Sequence, residues 1–106
     1  MGLFDFLLGS DINHGVEEWK NSPGAVLIDV RTVDEYRAGH IPGSINIPLD
    51  KIDAVLRKVT DRDTKIFVHC LSGSRSAQAA GRMKRLGYTN IVNIGGISRY
   101  KGNVEV

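Results

Sequence analysis

Residues 65–76 read Lys-Ile-Phe-Val-His-Cys-Leu-Ser-Gly-Ser-Arg-Ser (KIFVHCLSGSRS), and the change from their apolar half to their small, polar half decides the fold. Lys65 to His69 is an apolar run of strand length. From Ser74 to Leu86 the pattern is helical, with Ala79, Met83 and Leu86 at helical spacing and Gly87 able to supply a left-handed stop. Strand, short loop and helix therefore follow one another directly. Cys70, the only cysteine of the chain, stands at the junction.

The same alternation recurs on either side. Ala25 to Asp29 (AVLID), Ile45 to Ile47 (INI) and Ile91 to Ile94 (IVNI) read as further buried strands, and Asp11 to Asn21, Thr32 to Ala38 and Leu49 to Val59 as helices. The apolar runs lack strict alternation, which points to a sheet covered on both faces, as parallel sheets are. The expectation is an α/β fold with a central, mostly parallel sheet of about five short strands, flanked by helices on both faces. In open α/β sheets ligands bind outside the carboxyl ends of the strands. The residues expected there are Val30 and Arg31, Pro48, Cys70, and the pair Gly95-Gly96.

At 106 residues the chain is expected to form one domain over 1–106, burying roughly 65% of its unfolded surface. Its net charge of +2 comes from interspersed residues, and the locally basic last third (Arg82, Lys84, Arg85, Arg99, Lys101) reads as a solvated face, so no nucleic acid partner is expected. A single cysteine excludes an intramolecular disulfide framework and any multi-cysteine metal site, and it suits a reducing compartment. No metal or organic cofactor is expected, and a cytoplasmic location follows by default. The apolar start, residues 1–10, lacks the basic region and cleavage site of a signal peptide and is far shorter than a membrane span. It is expected to dock on the domain, without stable membrane insertion. No long heptad marks an oligomer, so a monomer or weak homodimer is expected.

A lone cysteine is most often a small buried hydrophobe, but the residues after Cys70 oppose that reading. Leu71, Ser72, Gly73, Ser74, Arg75 and Ser76 form a short loop in which Gly73 is free to take a positive φ, so successive backbone N–H groups can converge on the sulfur. The helix starting near Ser74 adds its unsatisfied N–H groups and positive dipole end. Such settings lower a cysteine pKa from about 8.5 to between roughly 3.5 and 7.5. Arg75 has two readings: it binds an oxyanion substrate, or it turns away and pairs with an acid such as Asp29 or Glu35 to brace the loop. Asp29 and Arg31 face the same mouth. Arg31 either steers an anionic donor or joins Asp29 and Glu35 in a structural ion pair or cap. His69 should point to the face opposite Cys70 and reads as a core histidine rather than a general base. His40, Pro42 and Trp19 read as turn and packing residues.

The string HC…RS resembles the tyrosine-phosphatase signature, but only four residues separate Cys70 from Arg75, one fewer than that signature has. A smaller ring of donors fits a phosphate monoester poorly and a single sulfur atom better. The chain more clearly resembles the rhodanese (sulfurtransferase) family, as a stand-alone single-domain member. The likeness runs from about Ala25 to Gly102 and rests on IDVRTVDEY at 28–36, GHIPGSINIP at 39–48 and CLSGSRS at 70–76. It departs from common members in having Tyr100, not Trp, after Gly95-Gly96, and in lacking extra cationic residues in the loop.

The resemblance implies a parallel sheet flanked by helices and a persulfide formed on Cys70, with residues 71–76 binding substrate and persulfide. The expected reaction takes sulfur from a small sulfane-sulfur donor, thiosulfate or a persulfide, and passes it to a thiol or cyanide acceptor. A sulfur-relay protein is the alternative partner, with Cys70 as a carrier that turns over small molecules little, and a phosphatase is the third reading.

Overall fold

The computed structural model describes residues 11–106; the expected docking of residues 1–10 lies outside the described residues. Four strands, β1 (Val26–Asp29), β2 (Ile45–Asn46), β3 (Ile66–Cys70) and β4 (Ile91–Gly96), pair in parallel in the order β2-β1-β3-β4. The helices are α1 (Ile12–Lys20), α2 (Val33–Ala38), α3 (Val55–Lys58) and α4 (Ser74–Arg85), with 3₁₀ segments at Leu49–Ala54 and Ile97–Arg99.

Burial on both faces explains why the strands read as continuous apolar runs. Ile28, Val30, Ile66, Val68 and Cys70 point to one side, where Val55, Ala79, Met83 and Tyr88 cover them from α3, α4 and the loop after it. Leu27, Phe67 and Ile94 point to the other, against Ile12 and Val16 of α1 and Ile41. All five residues of β3 are buried, as expected for an interior strand of a doubly covered sheet.

Two expectations are corrected in detail. The described residues hold four strands where about five were expected, and the C-terminal segment adds only an isolated antiparallel bridge between His40 and Glu105. The stretch Leu49 to Val59 is not one helix: a 3₁₀ segment, broken at Lys51 (φ −123°, ψ 25°), runs into the single turn of α3. Ile52, Val55 and Val59 are the residues that must meet the sheet, and all are buried. The three-residue step from Ile52 to Val55 is met by 3₁₀ winding, the four-residue step to Val59 by α winding.

Helix α1 shows how closely the layers pack. Asp11 caps it, accepting from the backbone N–H of Asn13 at 3.0 Å, and Gly15 lies directly on β4. A Cβ at Gly15 would stand 2.5 Å from Cγ2 of Ile94, so the missing side chain is a packing requirement. Replacing a mid-helix glycine by alanine ordinarily gains about 1 kcal/mol, whereas overpacking costs about 1–3 kcal/mol. Gly15→Ala is therefore expected to lower the denaturant midpoint; a raised midpoint would show that the α1–β4 contact yields freely.

Candidate active site

Strand β3 ends at Cys70, and after three residues the chain turns into α4. The turn depends on Gly73, which takes φ +111° as the N-cap of α4 and supplies no side-chain cap. The first N–H groups of α4 are thus left without a capping side chain. The Gly73 N–H donates to Cys70 Sγ at 2.9 Å, and the Ser76 hydroxyl lies 3.4 Å from the same sulfur. Burial pushes the Cys70 thiol up, but hydrogen bonds from the Ser76 side chain and from the backbone of Ser76, Gly73 and Ser72 outweigh it, and the pKa falls below its ordinary value of 9.0.

Ser76 is fully buried and has one proton for three neighbours. Its oxygen lies 3.0 Å from the Gly73 carbonyl and 2.8 Å from Asn93 Oδ1, which also accepts from the Gly95 N–H at 3.0 Å. With Cys70 a thiol, the S–H donates to Ser76 and the hydroxyl proton goes to one of the two oxygens. With Cys70 a thiolate, that proton can turn onto sulfur. Asn93 was not among the residues singled out from sequence, although a lone amide within IVNIGG was a visible signal. It reaches Ser76 beside an irregularity in β4: Val68 pairs with Asn93 but His69 pairs with Gly95, leaving Ile94 as an extra residue.

The other end of β4 fixes the loop from behind. Cys70 pairs with Gly96, and a Cβ on Gly96 would stand 2.2 Å from the Leu71 carbonyl oxygen, which accepts from the Ser98 N–H at 3.0 Å. The Leu71 side chain faces outward and is 43% exposed beside the buried sulfur. Tyr100 packs against the core on the α1 side, with Trp19.

The two arginines of the mouth are both engaged. Arg31 is buried and folds back on Asp29, with Nε–Oδ1 at 3.0 Å and Nη2–Oδ2 at 2.8 Å, and Nη2 also donates to the Gly39 carbonyl at 2.8 Å. Of its two readings this is the ion-pair arrangement, but without Glu35. Glu35 instead closes a capping box with Thr32 at the start of α2. It also accepts two bonds from Arg75, Nη1–Oε1 at 2.7 Å and Nη2–Oε2 at 2.9 Å. Of the two acids named for Arg75, Glu35 is the one it meets. The Arg75 hydrogen bond holds the Glu35 carboxyl down at about 2, against the opposing effect of burial, with help from Thr32.

His69 lies on the opposite face from Cys70, as strand alternation requires. It is fully buried; its Nδ1–H donates to the Cys70 carbonyl at 3.0 Å, and its Nε2 stands 3.6 Å from Asp29 Oδ2 without a hydrogen bond. Burial pushes its pKa below the ordinary 6.5, although Asp29 and the Cys70 carbonyl pull the other way. His40 stacks on Tyr36 at 3.8 Å and bonds the Tyr36 carbonyl through Nδ1 at 2.9 Å, within the turn expected for GHIPGS. Among the described residues no group of three or more His, Cys, Asp and Glu is placed to hold a metal ion, and no helix is long and apolar enough to cross a membrane.

Residues 13–103 match the family model of the rhodanese-like domain, and the chain belongs to that family. It is 37% identical over 71 residues to the thiosulfate sulfurtransferase PspE of Escherichia coli, covering 66% of this chain and 68% of PspE. It is 35% identical over 80 residues to YrkF of Bacillus subtilis, named as a candidate sulfur carrier, covering 74% of this chain and 43% of YrkF. The chain thus spans less than half of that longer relative. A solved structure described as a rhodanese with anions from E. coli superposes with a TM-score of 0.71 at 32% identity, over 76% of this chain and 96% of the other. The class is that of rhodanese-like sulfurtransferases and sulfur carriers, on an α/β fold with a parallel sheet flanked by helices.

The Glu35 pair sets a pH dependence whose sign is fixed. Between pH 4.5 and about 2 the unfolded carboxyl takes up a proton that the folded one refuses, so the pair's stabilisation is complete above that window and is lost as pH falls through it. Both side chains are about 30% exposed, and solvent screening limits the contribution to about 1 kcal/mol. His69 adds a separate loss below pH 6.5, because its buried ring resists the proton that the unfolded chain accepts. In denaturant titrations across pH, Glu35→Gln is expected to be less stable than the parent at neutral pH and to converge with it near pH 2; a gap that persists there would remove the ion pair as its cause.

Proposed function

We propose that this protein is a sulfurtransferase that carries a sulfane sulfur as a persulfide on Cys70. One observation carries the reading: a cysteine at the carboxyl end of an interior strand whose sulfur meets the Gly73 N–H at 2.9 Å and the Ser76 hydroxyl at 3.4 Å, with its pKa lowered by them. In the first step the Cys70 thiolate attacks the outer sulfur of a donor such as thiosulfate. The donor's S–S bond breaks, its electron pair leaves with sulfite, and Cys70–S–S⁻ remains. In the second step an acceptor, cyanide or a thiolate, attacks the terminal sulfur, takes it away and returns the Cys70 thiolate.

The donors around Cys70 serve both states. The Gly73 N–H and the Ser76 hydroxyl stabilise the thiolate before transfer, and the backbone N–H groups of residues 71–76 face the persulfide anion after it. Leu71, Ser72, Gly73, Ser74, Arg75 and Ser76 are the residues we assign to this cradle, Arg75 by bracing it through Glu35. Asp29 and Arg31 support the adjoining strand end. The protein acts in this reading as one domain over its length, in a reducing, cytoplasmic setting, without a metal or organic cofactor.

A second reading, a sulfur carrier in a protein relay, is favoured by the outward-facing Leu71, an apolar contact beside a cysteine that is only 1% exposed. A phosphatase reading is disfavoured by the short loop and by the pairing of Arg75 with Glu35. The test is intact-mass measurement after incubation with thiosulfate or a small persulfide: one added sulfur is expected, removed by cyanide and absent in Cys70→Ser. No adduct with any sulfane donor would overturn the proposal, and an adduct that turns over only with protein thiols would select the carrier.

A further inference from the structure

The one cationic side chain within the cradle segment is that of Arg75, in the first turn of α4, next to Ser76 and two residues from Gly73. Its guanidinium does not serve the sulfur; both terminal nitrogens are bound to Glu35. Glu35 is itself immobilised. Its Oε1 accepts from the Thr32 N–H at 2.9 Å and from the Thr32 hydroxyl at 3.2 Å, so the capping box of α2 holds the carboxylate in place. Arg31, the other cation of the mouth, is 6% exposed and bound to Asp29. Arg31 and Arg75 are therefore each matched by a carboxylate, while Leu71 stands exposed at the rim.

We propose that Glu35 determines donor selectivity: by holding Arg75 away from the mouth it favours sulfane donors with an organic, singly charged leaving group over dianions such as thiosulfate. This rests on Cys70 persulfide chemistry as proposed above and names the substrate class for it. The physical reason is Coulombic. Attack of a thiolate on thiosulfate brings a charge of −1 toward −2 and releases sulfite, and with the charges of Arg31 and Arg75 already matched by Asp29 and Glu35 these two arginines do little to offset the repulsion. An organic thiosulfonate, R–SO₂–S⁻, reacts by the same bond changes, its S–S bond breaking with the pair leaving on R–SO₂⁻. It carries one charge fewer, and it offers an apolar group to Leu71. Arg75 is within electrostatic reach of the sulfur, since the Cys70 charge contributes to raising its pKa, after the larger contribution of Glu35. At about 31% exposure, once released it is free to turn toward the mouth.

The experiment compares thiosulfate with benzenethiosulfonate as donors to the full chain, using cyanide as acceptor. Glu35→Gln keeps an oxygen for the capping box but removes the charge that retains Arg75. We expect it to raise the thiosulfate-to-thiosulfonate ratio of kcat/KM on the order of tenfold, and to shift the salt dependence of the thiosulfate rate toward a decline with added salt, as attraction replaces repulsion at the mouth. The paired variant Glu35→Gln with Arg75→Gln is expected to lose both effects. An unchanged ratio in Glu35→Gln, or the same rise in the paired variant, would overturn the proposal while leaving persulfide chemistry intact. If the parent protein gains no sulfur by intact mass from either donor or from a small persulfide, persulfide chemistry fails and the selectivity proposal fails with it; if it gains sulfur only from the persulfide, the selectivity proposal alone is overturned.

Discussion

The sulfur of Cys70 stands where two opposing effects meet. It closes an interior strand, in a setting that penalises a charge, and it faces the uncapped start of a helix, whose N–H groups favour one. Burial alone would keep the thiol protonated and inert. The Gly73 and Ser76 donors reverse that balance, and much of the surrounding structure keeps them in register. The positive φ of Gly73 starts α4 directly behind the sulfur, the bare backbone of Gly96 lets the loop close against β4, and Asn93 holds Ser76 from the next strand.

Charge around the site is arranged in matched pairs. Asp29 and Arg31 close on each other under the strand ends, and Glu35 and Arg75 tie α2 to the loop. The two pairs differ in what they can do. The first is buried and fixed, and it adjoins His69, whose ring bonds the carbonyl of Cys70 but stands 3.6 Å from Asp29 without a hydrogen bond to it. The second is partly open to solvent, so its guanidinium is the one able to change partner. This difference makes the second pair the place where selectivity for the donor can be set without disturbing the sheet.

Much of this was legible in the sequence. The four apolar runs became the four strands because a doubly covered parallel sheet leaves a continuous hydrophobic signature, and KIFVH running into a small glycine-containing loop placed Cys70 at a strand end. The count of four residues from Cys70 to Arg75 already separated the loop from a phosphate cradle. The partners of the charges were not legible. Arg75 could meet Asp29 or Glu35, and only the three-dimensional position of α2, fixed by its capping box, decides for Glu35. Asn93 escaped notice because its approach to Ser76 depends on an irregular pairing between β3 and β4, which no local pattern announces. The break at Lys51 was hidden for a similar reason: the spacing of Ile52, Val55 and Val59 has meaning only against the sheet they cover.

The account depends on the loop outweighing burial, so that the Cys70 pKa lies below its ordinary value and the thiolate is favoured. The direct measurement is the ultraviolet thiolate absorbance of the folded protein as a function of pH, compared with Ser76→Ala. A single titration with its midpoint below the ordinary 9.0, moving upward in Ser76→Ala, is the predicted result. A midpoint at or above 9.0 in the parent protein would mean that burial wins over the loop, and would contradict the account.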